Sequence, residues 1–416
     1  IIHKLKGNKR LPSSTITDQR NMAKYKQIDC FSKNIKFWKI LGIWPGNDAF
    51  KHYKYYKHIF RFIVFYLYLT LSTINFFFLP RNMDTIIEET MFYFTIINVF
   101  VKVLTFIFYR EKLLLILDTL ERDEFQPSFE SGREIVEKSK KQIRLFWKIV
   151  AITSVTSNGS HVLSPLIVHL LFKADLELPL CSFSFIDDDL KDKIIYLIYF
   201  YQCISMHFAM WVNVNCDTFM LGLMVLVIAQ LEVLSEKLRN ITEKIRGNNQ
   251  ITGNSLEEEQ MIKKLKDDII HFDGIIKFCG LVEDVFSFNL FVQFGIASCL
   301  LCVTLFRYTL PAPMQYYIFL TTYIFIMTIQ ILVPSWFGTQ IMSKSLLLSE
   351  AVYDCDWTPR SKKFKSCLRL FVERANKPLS ITGGKMFPLS LTTFTSIINS
   401  SYSFFTLLRH MQSREN

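Results

Sequence analysis

The last strongly apolar stretch of the chain, Leu389–Leu408, reads LSLTTFTSIINSSYSFFTLL and holds no charged side chain. A helix that crosses a bilayer needs about 20 mostly apolar residues, and this stretch is long enough. Half of its residues are nevertheless Ser, Thr or Asn, and polar groups are costly in an apolar medium unless they are hydrogen-bonded. The stretch therefore predicts a membrane helix with one side that faces something other than lipid.

The polar residues of this stretch follow a helical period. Six residues at spacings of three or four share one face of a helix: Thr392, Ser396, Asn399, Ser403, Leu407 and His410. The opposite side, suited to lipid or packing, carries Phe394, Ile397, Ile398, Phe405 and Leu408. Two interpretations stay open. Either the polar row lines a water pathway in which Leu407 is a dewetting gate, or small residues such as Ser396 and Ser400 let helices approach closely.

Working outward from this helix, the chain contains further apolar segments of membrane-spanning length. Half of its 416 residues are hydrophobic, which favours a polytopic membrane protein. The seven expected spans are 59–79, 91–109, 145–172, 194–228, 285–306, 316–338 and 387–408. The third is interrupted by VTSNGSH at 155–161, and the fourth is long enough to continue as a helix into water. The pattern predicts an all-α membrane protein with seven transmembrane helices.

The basic residues predict the orientation of these spans. Of the 48 Lys and Arg residues, 39 lie in 1–58, 110–148, 229–284 and 339–386. By the positive-inside rule these segments are cytoplasmic, so the N-terminus is inside and the C-terminus is extracellular. This topology is the reverse of that of a G-protein-coupled receptor. Cys181 is the one cysteine in an expected outer loop, so no intrachain extracellular disulfide is expected either.

The spans and the charge pattern together predict the organisation of the chain. The first 21 residues are polar, and Met22 is a plausible native start. The expected order is a cytoplasmic N-terminal segment (1–58), helices one to four (59–228), a cytoplasmic helical extension (229–284), helices five and six (285–338), a cytoplasmic anchor segment (339–386), the last helix (387–408) and an extracellular tail (409–416).

The cytoplasmic extension carries apolar residues at helical spacing. One row is formed by Leu231, Leu234, Leu238, Ile241 and Ile245, and a second by Ile262, Leu265, Ile269, Phe272 and Ile276. A helix that leaves the membrane with such a row needs partners for it. Other helices of the same chain or a neighbouring subunit are both suitable partners.

Other classes of protein find little support in the sequence. It contains no phosphate-binding loop, nucleophile elbow, HExxH or paired CxxC zinc motif, so nothing indicates an enzyme, a cofactor or a metal. The formal charge of +11 does not indicate a nucleic-acid binder, because the basic residues are spread between spans. A transporter is disfavoured, since no internal repeat is present and no buried charge pair marks a substrate site at the middle of the membrane. Lys102 in the second span is expected to snorkel or to face the cytoplasmic end of its helix.

Three segments resemble the insect odorant receptor family. SIINSSYSFFTLL resembles the last helix of these receptors, with the Ser-Tyr-Ser pattern at Ser401–Ser403 and the following Leu408. The stretch 353–394 resembles the segment before that helix in its Cys355, Trp357, Lys377-Pro378 and Gly384, and KILGIWPGN at 39–47 resembles a stretch near the N-terminus. The resemblance covers both ends of the chain, and the spans agree between them.

This resemblance implies a subunit of an odorant-gated, nonselective cation channel that needs no G protein. Four subunits would surround one pore lined by their last helices, as a heterotetramer of ligand-specific and co-receptor subunits. The chain is similar to the ligand-specific kind, because its 229–284 segment is shorter than that of the co-receptor. The resemblance also implies the plasma membrane of olfactory sensory neuron dendrites. A gustatory-type receptor or another polytopic chemoreceptor is the alternative.

The resemblance places the ligand pocket in the outer half of the bundle, among the second, third, fourth and sixth spans. The chemistry of small, flexible and aromatic side chains suits volatile ligands and selects the candidates Phe92, Thr95, Ser154, Ser157, Asn158, Met206, Met210 and Tyr323. Leu407 takes the place of the family's apolar pore-closing residue. Cys355 and Trp357 are the expected subunit anchors. The sequence does not specify the odorant.

Overall fold

The computed structural model describes residues 25–44, 52–80, 83–173, 175–241, 254–311 and 314–415. The described chain is built mainly from long helices. The helices are α1 (Ser32–Ile40), α2 (Tyr53–Phe77), α3 (Met83–Phe108), α4 (Arg110–Leu120), α5 (Glu130–Phe172), α6 (Asp188–Arg239), α7 (Asn254–Arg307), α8 (Met314–Tyr353), α9 (Lys362–Ala375) and α10 (Leu391–Glu415). A π turn at Phe62–Tyr66 lies within α2, and short 3₁₀ turns occupy Ile28–Phe31 and Asp123–Phe125.

The expected spans fall on these helices. Five of the described helices are long and apolar enough to cross a membrane, namely α2, α3, α6, α7 and α8. The third expected span lies in α5, and most of the last lies in α10; these helices have 43 and 25 residues but carry more polar side chains. The expected start of the last span at 387 was wrong, because residues 387–388 form a strand and the helix begins at Leu391. The segment 155–161 does not interrupt α5, which also continues through Pro165. The prediction of an all-helical fold with several membrane-spanning helices is confirmed, and the orientation of the termini stays a prediction.

Helices α6 and α7 extend far beyond a bilayer. They have 52 and 54 residues, and at about 1.5 Å per residue each is roughly 80 Å long. The apolar core of a membrane is only about 30 Å thick. The prediction that the fourth span continues as a helix is therefore confirmed by α6, and α7 enters the fifth span in the same way.

The apolar rows of the extension are buried or half-buried within the chain itself, except Ile245, which lies outside the described residues. On α6, Leu231, Leu234 and Leu238 are each at most 1% exposed, and on α7 Leu265 and Phe272 are at most 3% exposed. Their partners include α9, whose Phe371 ring lies 5.3 Å from that of Phe272. Of the two alternatives left open by the sequence, partners from the same chain are the ones observed.

The segment before the first span belongs to the core. The rings of Phe31 and Trp38 lie 4.8 and 4.7 Å from that of Phe219 on α6, at nearly perpendicular angles. Trp38 also approaches Phe106 of α3. A Cβ at Gly222 would lie 2.5 Å from Phe31, so this glycine makes room for the ring. The N-terminal segment thus packs between α3 and α6.

A short hairpin connects α9 to α10. Strands β1 (Thr382–Gly383) and β2 (Phe387–Pro388) pair antiparallel, and Gly384 between them has a φ of +61°. The Gly384 amide donates to the Ser287 carbonyl of α7 at 2.8 Å. The Leu391 amide then donates to Thr339 Oγ1 of α8 at 3.0 Å. These bonds fix the point at which α10 begins.

Candidate pore and ligand sites

The polar row of α10 lies on the outside of the single chain. All six of its residues are exposed, namely Thr392, Ser396, Asn399, Ser403, Leu407 and His410. Leu407 is 55% exposed, whereas Leu408 is 37% exposed. On the other side, Phe394, Ile397 and Ile398 are partly buried against the core. A single chain therefore has one packed face and one open face on this helix.

The open face contains a surface groove. Its volume is about 380 Å³, and it is lined by Asn399, Ser400, Ser403, Phe404 and Leu407. The hydroxyls beside it donate to their own helix: Ser396 to the Thr392 carbonyl, Ser400 to the Ser396 carbonyl and Ser403 to the Asn399 carbonyl, at 2.8–2.9 Å. Such bonds to the preceding turn let a membrane helix carry hydroxyls without a partner helix.

The hydroxyl that packs is one that the sequence analysis did not select. Ser401 is 1% exposed, and its Oγ lies 3.0 Å from Ser298 Oγ and 3.1 Å from the Ser298 carbonyl of α7. It follows Ile397 by four residues and so lies on the packed side. Ser396 and Ser400, considered for close packing, are exposed on the single chain. The spacing from Ile397 could have identified Ser401.

Three ligand candidates come together between α3, α5 and α8. Thr95 Oγ1 lies 3.2 Å from Tyr323 Oη. Phe92 precedes Thr95 by about one turn of α3. Two aromatic residues that the sequence analysis missed complete the group. His161 and Phe319 stack at 5.9 Å, and their centroids lie 5.4 and 6.4 Å from Phe92. Their aromatic character was visible in the sequence, but their shared location was not.

The remaining candidates are divided among different surroundings. Met206 and Phe92 both pack against a cluster that includes Leu180 and Phe183. Met210 packs instead against the cluster formed by Trp147, Ala151 and Val214. Ser154 is half-buried and Ser157 is exposed. Asn158 has a buried side-chain oxygen with no hydrogen-bond partner in the described part of the chain. The eight candidates therefore do not form one contiguous surface.

The segment 176–186, which we call the outer loop, lies between α5 and α6 and is held by side chains from three helices. Gln202 of α6 donates to the Cys181 carbonyl at 2.7 Å and accepts from the Leu180 amide at 3.2 Å. Glu89 of α3 accepts from the Ser182 amide, and Asn75 of α2 from the Ser184 amide, both at 2.7 Å. Leu180, Cys181 and Phe183 are buried. The loop is thus fastened to the bundle.

The expectation that Lys102 snorkels was wrong, whereas its location toward the cytoplasmic end of its helix stays a prediction. Lys102 is fully buried, and its Nζ lies 2.5 Å from Asp217 Oδ1 and 2.5 Å from Asn213 Oδ1 on α6. The side chain does not snorkel, because a carboxylate and an amide oxygen four residues apart receive it inside the bundle. The sequence analysis did not foresee this buried charge pair between the second and fourth spans.

A second polar contact lies on the other side of the same stretch of α6. Asn215 accepts from Trp147 Nε1 of α5 at 3.1 Å, and its carbonyl accepts from Asn34 Nδ2 of α1 at 3.0 Å. Asn34 also donates to Thr218 Oγ1 at 2.9 Å. The segment VNVNCDT, residues 212–218, therefore joins α6 to α3 on one side and to α1 and α5 on the other.

The two expected anchor residues differ in exposure. Cys355 is 4% exposed, and burial raises the pKa of its thiol to about 11. Trp357 is partly buried against the core of its own chain. Nearby in the anchor segment, Tyr353 and Leu370 are 62% and 65% exposed. Both Cys355 and Trp357 thus contribute to the fold of the single chain.

Together, the long apolar helices, the buried polar contacts and the two-sided last helix define a mostly helical, polytopic membrane protein. Residues 82–402 match the family model described as 7tm Odorant receptor. The chain belongs to the 7tm odorant receptor family.

Individual relatives agree with this assignment. The chain is 22% identical to Odorant receptor 67a of Drosophila melanogaster over 93% of its length and 97% of that protein. It is 31% identical to Odorant receptor 67c of the same species, but that match spans 38% of each chain. A match to Odorant receptor 10 of Aedes albopictus, at 28% identity, likewise spans 44% of this chain and 47% of that relative. The predicted resemblance is confirmed, while assignment to the ligand-specific kind stays a prediction.

The fold also matches a solved structure. The insect olfactory receptor OR5 from Machilis hrabei in complex with eugenol superposes with a TM-score of 0.77, over 93% of this chain and 100% of that one. A second structure of the same receptor gives a TM-score of 0.75, over 91% of this chain and 97% of that one. The sequence identities are 16% and 17%, so these matches establish the fold.

Proposed function

We propose that the chain is the ligand-specific subunit of an odorant-gated, nonselective cation channel whose pore is lined by α10. The observation that carries this proposal is the two-sided character of α10. Its polar row is exposed, while Phe394, Ile397 and Ile398 on its other side pack against the core. In a membrane, a polar row is best matched by water or by another polar surface.

A single open face cannot enclose a pore, so the channel is an assembly. The chain would join co-receptor subunits in a heterotetramer, each contributing its last helix. This assembly would lie in the plasma membrane, in the dendrites of olfactory sensory neurons. The exposed groove beside Leu407 supports the proposal, because neighbouring subunits would convert it into part of a closed wall.

The ligand would be a small volatile molecule held in the outer half of the bundle. The group of Phe92, Thr95 and Tyr323 with His161 and Phe319 offers apolar rings and one pair of hydroxyls. Burial against rings supplies most of the affinity for such ligands, and a few polar groups supply orientation. We therefore expect a mostly apolar ligand with a single hydrogen-bonding group.

Leu407 would close the pore in the absence of ligand. A ring of apolar side chains can exclude water from a narrow pore and so stop ions without any charge. Leu407 lies on the open face next to Ser403, and Leu408 is turned further toward the packed face. Opening would move the helices apart and let water enter the ring.

The proposal is tested by recording currents from cells that express the chain with a co-receptor. A panel of volatiles should evoke current only when both subunits are present. Leu407→Ala should raise the ligand-free current or change cation permeability, while the matched change Leu408→Ala should leave both near the wild-type values. If Leu408→Ala has the larger effect, or Leu407→Ala has none, the open face of α10 does not line the pore.

A further inference from the structure

A small cavity lies beneath the outer loop, between the outer ends of α2 and α3. Its polar lining residues are Tyr68 and Ser72 from α2, Glu89 and Tyr93 from α3 and Cys181 from the outer loop, and of these Tyr93 already contacts Thr73 Oγ1 at 3.2 Å. The remaining lining residues are apolar and include Phe92, whose ring centroid lies 5.4 Å from that of His161 and 6.4 Å from that of Phe319, two residues that do not line the cavity. The cavity is therefore a neighbour of the candidate ligand site and distinct from it.

Two hydroxyls on the cavity wall, those of Tyr68 and Ser72, lie close enough to interact with each other, and Ser72 with Cys181, but neither forms a hydrogen bond of normal geometry with any described residue. Tyr68 is 3% exposed and Ser72 is 4% exposed. The two residues are four apart on α2, so their side chains lie on one face of the helix. Buried polar groups in folded proteins are nearly always hydrogen-bonded, to protein or to ordered water.

Glu89 adds acceptor capacity to the same cavity. It is 8% exposed, and its Oε1 accepts from the Ser182 amide of the outer loop at 2.7 Å. A carboxylate has about four lone-pair positions, so that bond leaves room for a further donor. The wall thus combines two hydroxyls, which donate and accept, with a carboxylate, which accepts.

The size of the cavity limits what it can hold. The space open to the centre of a water molecule is about 10 Å³. A buried water needs about 10–15 Å³ of such space and two to four polar partners. Pockets for small organic ligands are about 300–1,000 Å³ in volume. The cavity matches one water molecule in both volume and lining, and it is far too small for an odorant.

We propose that this cavity is a binding site for a single ordered water that joins Tyr68 and Ser72 of α2 to Glu89 of α3. The water supplies the missing partners of both hydroxyls and donates to the carboxylate. Glu89 also accepts from the Ser182 amide, so the water connects α2, through Glu89, to the hydrogen bond that holds the outer loop. The site goes beyond the proposed channel function and does not depend on it.

Two measurements on the full chain in lipid nanodiscs test the proposal. The first is a cryo-electron microscopy map at a resolution that shows ordered water. We expect one isolated peak within about 3.2 Å of Tyr68 Oη and Ser72 Oγ. An empty cavity, or density too large for one water, would overturn the assignment.

The second measurement is whether the melting temperature falls or rises when each hydroxyl is removed. If a water bridges the hydroxyls, Tyr68→Phe and Ser72→Ala each remove one of its partners, and each should lower the apparent melting temperature by about 1–2 °C. The double variant should lose less than the sum, since both groups bind the same water. If the hydroxyls are dry, removing them relieves an unmet hydrogen-bonding requirement, and both variants should be unchanged or more stable. The control Tyr55→Phe, on the same helix but 71% exposed, should have no effect.

Discussion

At the scale of single residues, the pair Lys102–Asp217 gives the clearest stability prediction. Lys102→Met would leave Asp217 partly buried without its cation. Removing one partner of a buried ion pair costs about 3–5 kcal/mol, so we expect a sharp loss of thermal stability and of surface expression. The matched control is Lys112→Met, because Lys112 and Asp284 form a half-exposed pair at 2.7 Å and such pairs contribute about 0–1 kcal/mol.

A second variant separates charge from packing at this site. The double change Lys102→Met with Asp217→Leu removes both charges, and apolar replacements of a buried pair are often tolerated. We expect it to recover a large part of the stability lost by Lys102→Met alone. Equal stability of the two variants would show that the pair is not the origin of the loss.

The ligand prediction also belongs to individual side chains. Tyr323→Phe removes the hydroxyl that faces Thr95 while keeping the ring. A hydroxylated odorant that uses this group should lose up to about tenfold in potency, and an apolar odorant should lose little. Dose–response curves for such a pair of odorants, with the same co-receptor, measure the effect.

The comparison variant for the ligand site is Met210→Leu. Met210 and Ser157 are both candidates from the sequence, but Met210 packs on the Trp147 cluster and Ser157 is exposed. We therefore expect Met210→Leu to change the ranking of odorants less than Tyr323→Phe. Unchanged ranking in Tyr323→Phe, and in single variants of the other candidates, would place the ligand elsewhere.

The residues that the sequence failed to identify share a physical cause. Asp217 lies 115 positions from Lys102, and nothing local to Lys102 shows that α3 and α6 bring them together. His161 and Phe319 join Phe92 through the same kind of long-range packing. Ser401 differs, because its place on the packed side of α10 follows from a period that the sequence displays. Side-chain chemistry could be predicted from the sequence, but contacts between helices could not.

At the scale of helices, the crossing of α8 and α10 depends on one glycine. A Cβ at Gly338 would lie 2.2 Å from the Leu389 carbonyl oxygen, and a backbone atom cannot move aside without shifting the start of α10. We expect Gly338→Ala to reduce odorant-evoked current strongly, since it displaces the helix that we propose lines the pore. Current per receptor at the cell surface is the measurement.

The matched control for this crossing is Gly295→Ala on α7, where an added Cβ meets nothing within 4 Å. Alanine is the better helix former by about 1 kcal/mol, so this variant should keep normal current and be at least as stable. If Gly338→Ala gives a wild-type response, the expectation that the α8–α10 crossing requires a glycine at this position is wrong.

The helices themselves were largely predictable, since long apolar runs have few alternatives to a helix in a membrane. The continuity of α5 through 155–161 was the main uncertainty, and the helix proved unbroken. The hairpin at 382–388 was not foreseen. Its strands are two residues each, and the contacts with Ser287 of α7 that hold it are distant in sequence.

At the scale of the whole molecule, assembly is the property to test. The described residues of the apolar rows on α6 and α7 are buried or half-buried internally, so they offer little surface for a partner to cover. Exposed apolar side chains of the anchor segment remain available, including Leu370 of α9 at 65% exposure. An exposed apolar patch outside the membrane is typical of a protein interface.

Two variants distinguish the possible anchors. Leu370→Asp should reduce the yield of co-receptor complex in a pull-down while leaving the melting temperature of the chain unchanged. Trp357→Ala should reduce both, because Trp357 also packs on its own core. If complex yield stays at the wild-type level in both variants, the anchor segment is not the main contact between subunits.

The hydroxyls of α10 have a consequence for which ions could pass. Ser396, Ser400 and Ser403 donate their protons to carbonyls of their own helix, so the lone pairs of their oxygens are what remain for the open side. A pore wall made of such oxygens is electronegative without carrying any formal charge. It would stabilise sodium, potassium and calcium alike while repelling chloride, and diluting the external salt should shift the reversal potential in the direction of a cation conductance.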